Sequence, residues 1–193
     1  LDAKGVRYIP VLGEAAFYGP KADFMARDVL GREWQLSTIQ VDFIQPARLG
    51  VEYTGEDGKT HTPVVLHRAV TGSTERFLAV LIEHFGGAFP FWLSPVQAVV
   101  LPIAERHNPY AEQVAGRFRA AGLRVEVDGR NERLQYKIRE AQGQKTPYML
   151  VVGDQEAANQ TVSVRDRAGA KQNAVPLDTL IAELADLSAR RVL

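Results

Sequence analysis

The chain changes from a strand pattern to a helix pattern within the segment His67-Arg68-Ala69-Val70-Thr71-Gly72-Ser73-Thr74-Glu75-Arg76-Phe77. Gly72 and Ser73 stand at the junction, where a glycine lets the backbone approach a ligand and a helix N-terminus favours negative charge. Arg76 lies in the first helical turn, and its guanidinium can hold a phosphate by charge-assisted hydrogen bonds. The segment therefore predicts a strand-to-helix turn beside an anion, although an exposed arginine on a surface helix gives the same local pattern.

Aromatic and β-branched stretches before this segment are typical of antiparallel β structure. A hairpin is expected at Asp57-Gly58, because glycine tolerates the positive φ of a tight turn. The expected strands, which together make a β-meander, cover residues 15–29, 33–43, 50–55 and 61–68. Residues 74–85 predict a helix with apolar side chains on several faces, as in helices buried within a larger domain.

The second half of the chain alternates strands with helices, which is typical of a small α/β domain with a mixed sheet. Residues 96–101 form a continuous apolar run, as in strands covered on both faces. Asn108-Pro109 predicts the start of a helix over residues 109–121. The remaining elements are expected at residues 123–127, 132–142, 147–152, 161–166 and 177–190.

The 193 residues are expected to form two domains of a longer protein. The stiff segment 89–95 marks the expected boundary between a first domain, 1–93, and a second, 94–193. The chain begins with Leu1 rather than Met, and a strand pattern follows soon after. No stretch approaches the roughly 18 apolar residues of a membrane span, and a signal pattern is missing, so the expected location is the cytoplasm.

Charge and cysteine content exclude some kinds of site. Lys plus Arg and Asp plus Glu are both 23, so binding to nucleic acid would have to come from local clusters of charge. One such cluster runs from residue 117 to 145, where basic residues outnumber acidic ones, although a solvated helix face gives the same pattern. The chain has no cysteine, which excludes disulfides and any metal site that takes a Cys from this chain.

The segment from His67 to Phe77 resembles motif 3 of the class II aminoacyl-tRNA synthetases in its threonyl form. Further matching stretches are Phe17-Tyr18-Gly19-Pro20-Lys21, Trp34-Gln35, Gln40-Val41-Asp42-Phe43 and Arg130-Asn131-Glu132. The resemblance covers nearly the whole chain. It implies the C-terminal part of a class II antiparallel-sheet catalytic domain followed by a mixed-sheet α/β anticodon-binding domain. The implied parent is a homodimeric threonine–tRNA ligase, which uses ATP with Mg²⁺ to attach threonine to tRNA(Thr).

The same resemblance assigns roles to side chains of the first domain. The positions implied for ATP are Gln35, Thr38, Ser73 and Arg76, those for threonine are Tyr18, Lys21, Gln40 and His67, and those for catalysis are Arg76, Gln35 and Gln40. Strict alternation along a strand puts Gln35 and Gln40 on opposite faces. If both line one site, the strand needs a bulge or twist near Leu36-Ser37. From the residues alone, the alternative is that Gln35 and Gln40 are ordinary polar residues of a strand.

His67 is by resemblance one of three Zn²⁺ ligands, with the metal binding the amino and hydroxyl groups of threonine. By itself, a single histidine in a half-buried strand is more often structural. The other two ligands of the family, a Cys and a His, have no counterpart here, since His61, His84 and His107 lie outside the matching positions. The motif 2 arginine is also missing. The isolated chain is therefore expected to bind zinc weakly or not at all, and not to form threonyl-adenylate.

Unpaired anticodon bases are read by stacking and by hydrogen bonds to their edges. The resemblance assigns this role to Ile103, Asn131, Arg139, Glu156 and Arg165. Glu156 follows Gly153-Asp154-Gln155, where a solvent-exposed loop residue is the alternative.

Three functions are in competition. The first is part of a threonine–tRNA ligase, and the second is a synthetase-like RNA-binding module without catalysis. Retention of Gln35, Gln40, His67 and Arg76 favours the ligase, because a non-catalytic relative has no chemical need for them. The third, a free-standing nucleotide-binding α/β protein, is disfavoured because no strand leads into a glycine-rich phosphate loop.

Overall fold

The structure, a computed structural model, describes residues 2–192 and consists of two compact units. The first unit extends to Leu81 and the second begins with Ile82. Leu1, on which the expectation of a longer protein partly rests, lies outside the described residues.

The first unit is built on an antiparallel sheet. Its strands are β1 (Lys21–Arg27), β2 (Glu33–Asp42), β3 (Tyr53–Thr54), β4 (Thr60–His61) and β5 (Val65–Ala69), and its first helix is α1 (Gln45–Arg48). The sheet has the order β1-β2-β5, while β3 and β4 pair with each other around the predicted turn at Asp57-Gly58. The predicted meander is wrong, because β5 pairs with the central β2 and not with the strand that precedes it.

Helix α2 (Thr74–Phe85) has the predicted bounds, and its burial within a larger domain stays a prediction. None of its residues is buried in the described part of the chain, and Phe77, Leu78 and Ile82 are 44%, 48% and 46% exposed. The described residues therefore leave the apolar side chains of this helix exposed.

The second unit has the predicted mixed sheet. Its strands are β6 (Ala98–Pro102), β7 (Val125–Val127), β8 (Tyr148–Val152), β9 (Thr161–Asp166) and β10 (Lys171–Pro176), in the order β10-β9-β8-β6-β7. Its helices are α3 (Asn108–Ala120), α4 (Leu134–Gly143), α5 (Asp154–Asn159) and α6 (Leu177–Arg190). Strand β6 pairs in parallel with both β7 and β8, whereas β9 and β10 run antiparallel to their neighbours. Both α5 and β10 were absent from the sequence prediction.

The apolar run of β6 is buried on both faces of this sheet, as its sequence predicts. Val100 packs on the face that carries α3 and α6, together with Phe118 and Leu184. Leu101 packs on the opposite face, against Ile138 of α4. Burial on both faces fixes β6 at the centre of the unit.

The segment between the two sheets packs on the second unit. Phe91 belongs to the core of that unit, and its ring meets the ring of Tyr148 edge-on at 5.5 Å between centroids. Arg124 donates to the Trp92 carbonyl at 2.7 Å, and Arg167 donates to the Phe89 carbonyl at 3.0 Å. The division between the two compact units therefore lies before residue 93. The boundary between residues 93 and 94 stays a prediction of where one functional domain ends and the next begins.

Phe118→Ala should lower the free energy of unfolding of the second unit by about 3–5 kcal/mol, because Phe118 is 0% exposed and its removal leaves a cavity. Urea denaturation measures the loss. Tyr136→Ala is the matched control, since Tyr136 is 49% exposed and should cost far less. Equal losses for the two variants would show that the core is placed wrongly.

Candidate functional site

A cavity of about 530 Å³ opens beside the sheet of the first unit. It is lined by Lys21, Asp23, Gln35, Thr38, Gln40, His67, Arg68, Ala69, Gly72, Ser73 and Arg76. Of the residues expected to bind ATP or threonine, only Tyr18 is missing from this lining. Tyr18 nevertheless contacts the site, because its hydroxyl donates to Gln40 Oε1 at 2.7 Å. The structure thus brings the predicted side chains of the first domain together.

A bulge in β2 explains how Gln35 and Gln40 both reach the cavity. Phe24 of β1 pairs with Ser37, whereas the next residue, Met25, pairs with Gln35. Leu36 is therefore an extra residue on β2, and it reverses the alternation of side chains between the two glutamines. The predicted irregularity near Leu36-Ser37 is confirmed.

Asp23 organises the polar side of the cavity, and sequence reasoning missed it. Its Oδ1 accepts from the Thr38 hydroxyl at 2.7 Å and from Gln35 Nε2 at 2.8 Å. Lys21 Nζ lies 3.0 Å from Oδ2. These contacts, led by the Thr38 hydrogen bond, hold the pKa of Asp23 below its ordinary value, so the group is a carboxylate at neutral pH. The signal for it is the β1–β2 register, which places Asp23 opposite Thr38.

A buried carboxylate orients His67. The Asp42 side chain is 1% exposed, and its Oδ2 lies 2.8 Å from His67 Nε2, while the His67 side chain is 42% exposed. Asp42 Oδ1 accepts from the backbone amides of Ile44 and Gln45 at 3.0 and 2.9 Å. Burial raises the pKa of Asp42, but the hydrogen bonds from His67 and the two amides outweigh this effect and lower the pKa from its ordinary value. The ring of His67 is thus held through Nε2, which leaves Nδ1 for another partner.

The strand-to-helix turn before α2 lines one side of the cavity and contacts the bulged part of β2. Gly72 has φ +69°, and a Cβ there would lie 2.9 Å from the carbonyl oxygen of Gln35. The same oxygen accepts a hydrogen bond from Arg76 Nη1 at 3.2 Å. The Ser73 hydroxyl accepts from the Arg76 amide at 3.0 Å and so caps α2. Both the glycine and the arginine of the turn therefore contact the bulged part of β2.

The residues of the cavity fit part of a zinc site. Within residues 2–192, no three His, Cys, Asp or Glu side chains come close enough together to hold a metal ion. His67 has the donor chemistry, and a carboxylate such as Asp42 commonly orients a metal-bound imidazole. One imidazole is one ligand of the usual four, so the described residues cannot complete the site.

Three of the five residues expected to read RNA lie at one edge of the second sheet. Ile103, Asn131 and Glu156 follow the carboxyl ends of β6, β7 and β8, which run parallel and therefore end at the same edge. Ile103 is 48% exposed, and Asn131 is also exposed. Arg165 lies away from this edge, because it pairs with Met149 near the start of β8. Arg139 is exposed on α4.

Glu156 is held in place and is not a residue of a solvated loop. It lies in the first turn of α5 and is half-buried. Its Oε2 accepts from the Gly153 amide at 3.0 Å, and its Oε1 accepts from the Ser163 hydroxyl at 2.7 Å. Its carboxylate therefore ties α5 to β9.

In the part of the chain that the structure covers, no helix combines the length and the apolar character needed to cross a membrane.

Two family models match the chain. Residues 3–85 match the class II core domain of tRNA synthetases for G, H, P, S and T, and residues 97–187 match an anticodon-binding domain. The first match contains the cavity, and the second contains the edge described above.

Threonine–tRNA ligases are similar to nearly the whole chain. The threonine–tRNA ligase of Rubrobacter xylanophilus is 69% identical over 172 residues, which cover 89% of this chain and 27% of that protein. The threonine–tRNA ligase of Thermus thermophilus is 57% identical over 173 residues, which cover 90% and 26%. The chain thus spans about a quarter of these relatives' length. The crystal structure of the RNA-binding domain of the Cryptosporidium parvum threonyl-tRNA synthetase is 40% identical, with a TM-score of 0.79 over 96% of this chain and 47% of that one.

Gly72→Ala should destabilise the first unit by at least about 1 kcal/mol more than Gly58→Ala. Both substitutions place a side chain at positive φ, +69° and +71°, but only a Cβ at residue 72 meets a backbone oxygen. Urea unfolding of the two variants measures the difference. Equal costs would contradict the close approach of Gly72 to the bulge.

Proposed function

The chain belongs to the threonyl-tRNA synthetase family, of which it carries the C-terminal region, and on this basis we propose that it is part of an enzyme that activates threonine with ATP and transfers it to tRNA(Thr). The observation that carries the proposal is the cavity, in which Gln35, Gln40, His67 and Arg76 meet. A non-catalytic RNA-binding module is the second candidate, but it has no use for such a pocket.

The nucleotide binds at the turn between β5 and α2. Arg76 uses one guanidinium nitrogen on the Gln35 carbonyl and keeps donors for a phosphate of ATP, whose Mg²⁺ accompanies it. Ser73 lies beside the adenosine. Gln35 and Thr38, whose side chains are held by Asp23, complete the nucleotide side. Holding Gln35 and Thr38 before the substrate arrives favours the reacting geometry.

Threonine binds at the opposite end of the cavity, next to Tyr18, Lys21, Gln40 and His67. The hydrogen bond from Tyr18 fixes the Gln40 amide, so that its NH₂ group can donate to the substrate. His67 supplies one ligand of a zinc ion, and the other ligands come from outside this chain. When bound, the zinc would contact the amino and hydroxyl groups of threonine, which distinguishes threonine from valine.

The second unit reads the anticodon. The exposed Ile103 and Asn131 offer packing and an amide with both donor and acceptor, and Glu156 offers carboxylate oxygens. Arg139 of α4 and Arg165 of β9 offer guanidinium groups, and Arg165 would contact the RNA away from that edge. The parent protein acts as a homodimer in the cytoplasm.

Arg76→Ala in the parent protein should lower threonine-dependent ATP–pyrophosphate exchange by about 100-fold, because a positive charge beside the phosphates of ATP is lost. Arg27→Ala is the control, since Arg27 of β1 pairs with Glu33 of β2 and does not line the cavity. The isolated 193-residue chain should show no exchange. Full exchange by the Arg76 variant, or exchange by the isolated chain, would contradict the proposed division of the site.

Asn131→Ala and Arg165→Ala should each weaken binding of the threonine anticodon hairpin by about tenfold and leave an unrelated hairpin almost unaffected. Fluorescence anisotropy with labelled hairpins measures both affinities. Asn173→Ala, at an exposed position of β10, is the matched control. Equal losses for the two hairpins would mean that these residues contact only phosphates.

A further inference from the structure

A buried lysine joins two of the loops at the carboxyl edge of the second sheet. Lys137 of α4 is 3% exposed. Its ammonium donates to the carbonyl of Pro102, the last residue of β6, at 3.2 Å. It also donates to the carbonyl of Asp128, the first residue after β7, at 2.9 Å. The Lys137 side chain thus joins the backbone at the end of β6 to the backbone just after β7.

The burial of this ammonium is costly, which indicates a specific role. Desolvation lowers the pKa of Lys137, because the charged form loses water. Its neighbours on the same side of α4, Ile138 and Ala141, are apolar and pack on the sheet. An unbranched apolar side chain would fill the position without a buried charge. What the lysine adds is therefore the pair of bonds to the two carbonyl groups.

The loop after β7 is held by further contacts. The Asp128 amide donates to the Val100 carbonyl at 3.0 Å, and Asn108 Nδ2 donates to the Gly129 carbonyl at 3.3 Å. The Arg130 guanidinium donates to both carboxylate oxygens of Asp128 at 2.8 and 2.7 Å. It also reaches Glu140 of α4. The backbone is thus tied down immediately before Asn131.

The loop after β6 is linked to α5 as well. Arg106 donates to both carboxylate oxygens of Asp154 at 3.1 and 2.7 Å, and the buried His107 lies 2.9 Å from Asp154 Oδ1. Arg106 and His107 hold the pKa of Asp154 well below its usual range, so this link persists at neutral pH. The loop that begins with Ile103 is therefore linked to the loop of Asn131 through Lys137, and to α5, which carries Glu156, through Asp154.

We propose that Lys137 is a positioning residue for base recognition. By binding the ends of β6 and β7, it holds Ile103 and Asn131 at the separation that an unpaired base requires. This inference rests on the proposed anticodon-reading function. A loop ordered before binding loses less conformational entropy on binding, and base contacts depend on its geometry more than phosphate contacts do.

The test compares hairpins with the full 193-residue chain. One hairpin carries the anticodon of threonine tRNA, and the other differs by one anticodon base. Lys137→Met should lower the ratio of the two affinities by about tenfold and leave the dependence of binding on salt unchanged, because no phosphate contact is lost. Lys145→Met is the matched control, since that ammonium also donates to a backbone carbonyl, Gly86, away from the edge. Its ratio should equal that of the wild type.

Hydrogen exchange provides a measurement without RNA. In Lys137→Met, the amides of residues 128–131 should exchange faster, whereas the amides of β8 should keep their protection. Arg130→Gln is the second variant, because Arg130 is 53% exposed and its removal leaves the core intact. It should lower the affinity ratio in the same direction.

The outcomes separate the two proposals. A wild-type chain that binds both hairpins equally would overturn anticodon reading, and the role of Lys137 with it. A wild-type chain that discriminates, together with Lys137→Met and Arg130→Gln variants that discriminate equally well, would overturn the role of Lys137 alone. If Lys137→Met does not fold, as judged by circular dichroism, an unchanged ratio for Arg130→Gln overturns the inference.

Discussion

The parallel pairing of β6 with both β7 and β8 is the constraint on which the second unit depends. Parallel strands need crossover connections, and here α3 and α4 supply them on opposite faces of the sheet. Strand β6 is therefore buried on both faces, and the three loops that follow the parallel strands meet at one edge. Polar side chains then join these loops: Lys137 links the ends of β6 and β7, and Asp154 links α5 to the loop after β6. The edge at which the three segments meet thus follows from the central place of β6 between two parallel neighbours.

The first unit depends on one extra residue in β2. Because Leu36 interrupts the pairing with β1, Gln35 and Gln40 line the same cavity. The carbonyl of Gln35 then becomes the point where the strand meets the turn before α2, since Arg76 donates to it and Gly72 lies against it. Gly72, Ser73 and Arg76 thus together fix the turn against the bulged part of β2. Asp42 acts similarly at the other end of the cavity, where it orients His67.

Local signals predicted the elements that depend on neighbouring residues. The strand Thr161–Asp166 and the helices Thr74–Phe85 and Leu177–Arg190 have the predicted bounds, because periodicity and flanking residues specify them. Pairing between distant segments was not predictable in this way. The polar β10 carries no apolar alternation, and the return of β5 to β2 depends on the whole sheet.

The candidate site shows the same difference between what local signals predict and what depends on distant pairing. Alternation along β2, together with the family resemblance that places Gln35 and Gln40 in one site, predicted the bulge, and the resemblance supplied most of the residues that line the cavity. Asp23 and Lys137 were missed, because an aspartate on a strand or a lysine on a helix looks solvated until its partner is known. Those partners, Thr38 in one case and two carbonyl groups in the other, come together only through strand pairing and helix packing.

The central claim is that the second unit recognises an anticodon at the carboxyl edge of its sheet. Photo-crosslinking tests it most directly, with a threonine anticodon hairpin that carries a photoreactive base in the anticodon and with mass spectrometry to locate the attachment sites. We expect crosslinks in the segments that follow β6, β7 and β8, which are residues 103–107, 128–133 and 153–156. Crosslinks confined to α6, or to the first unit, would contradict it.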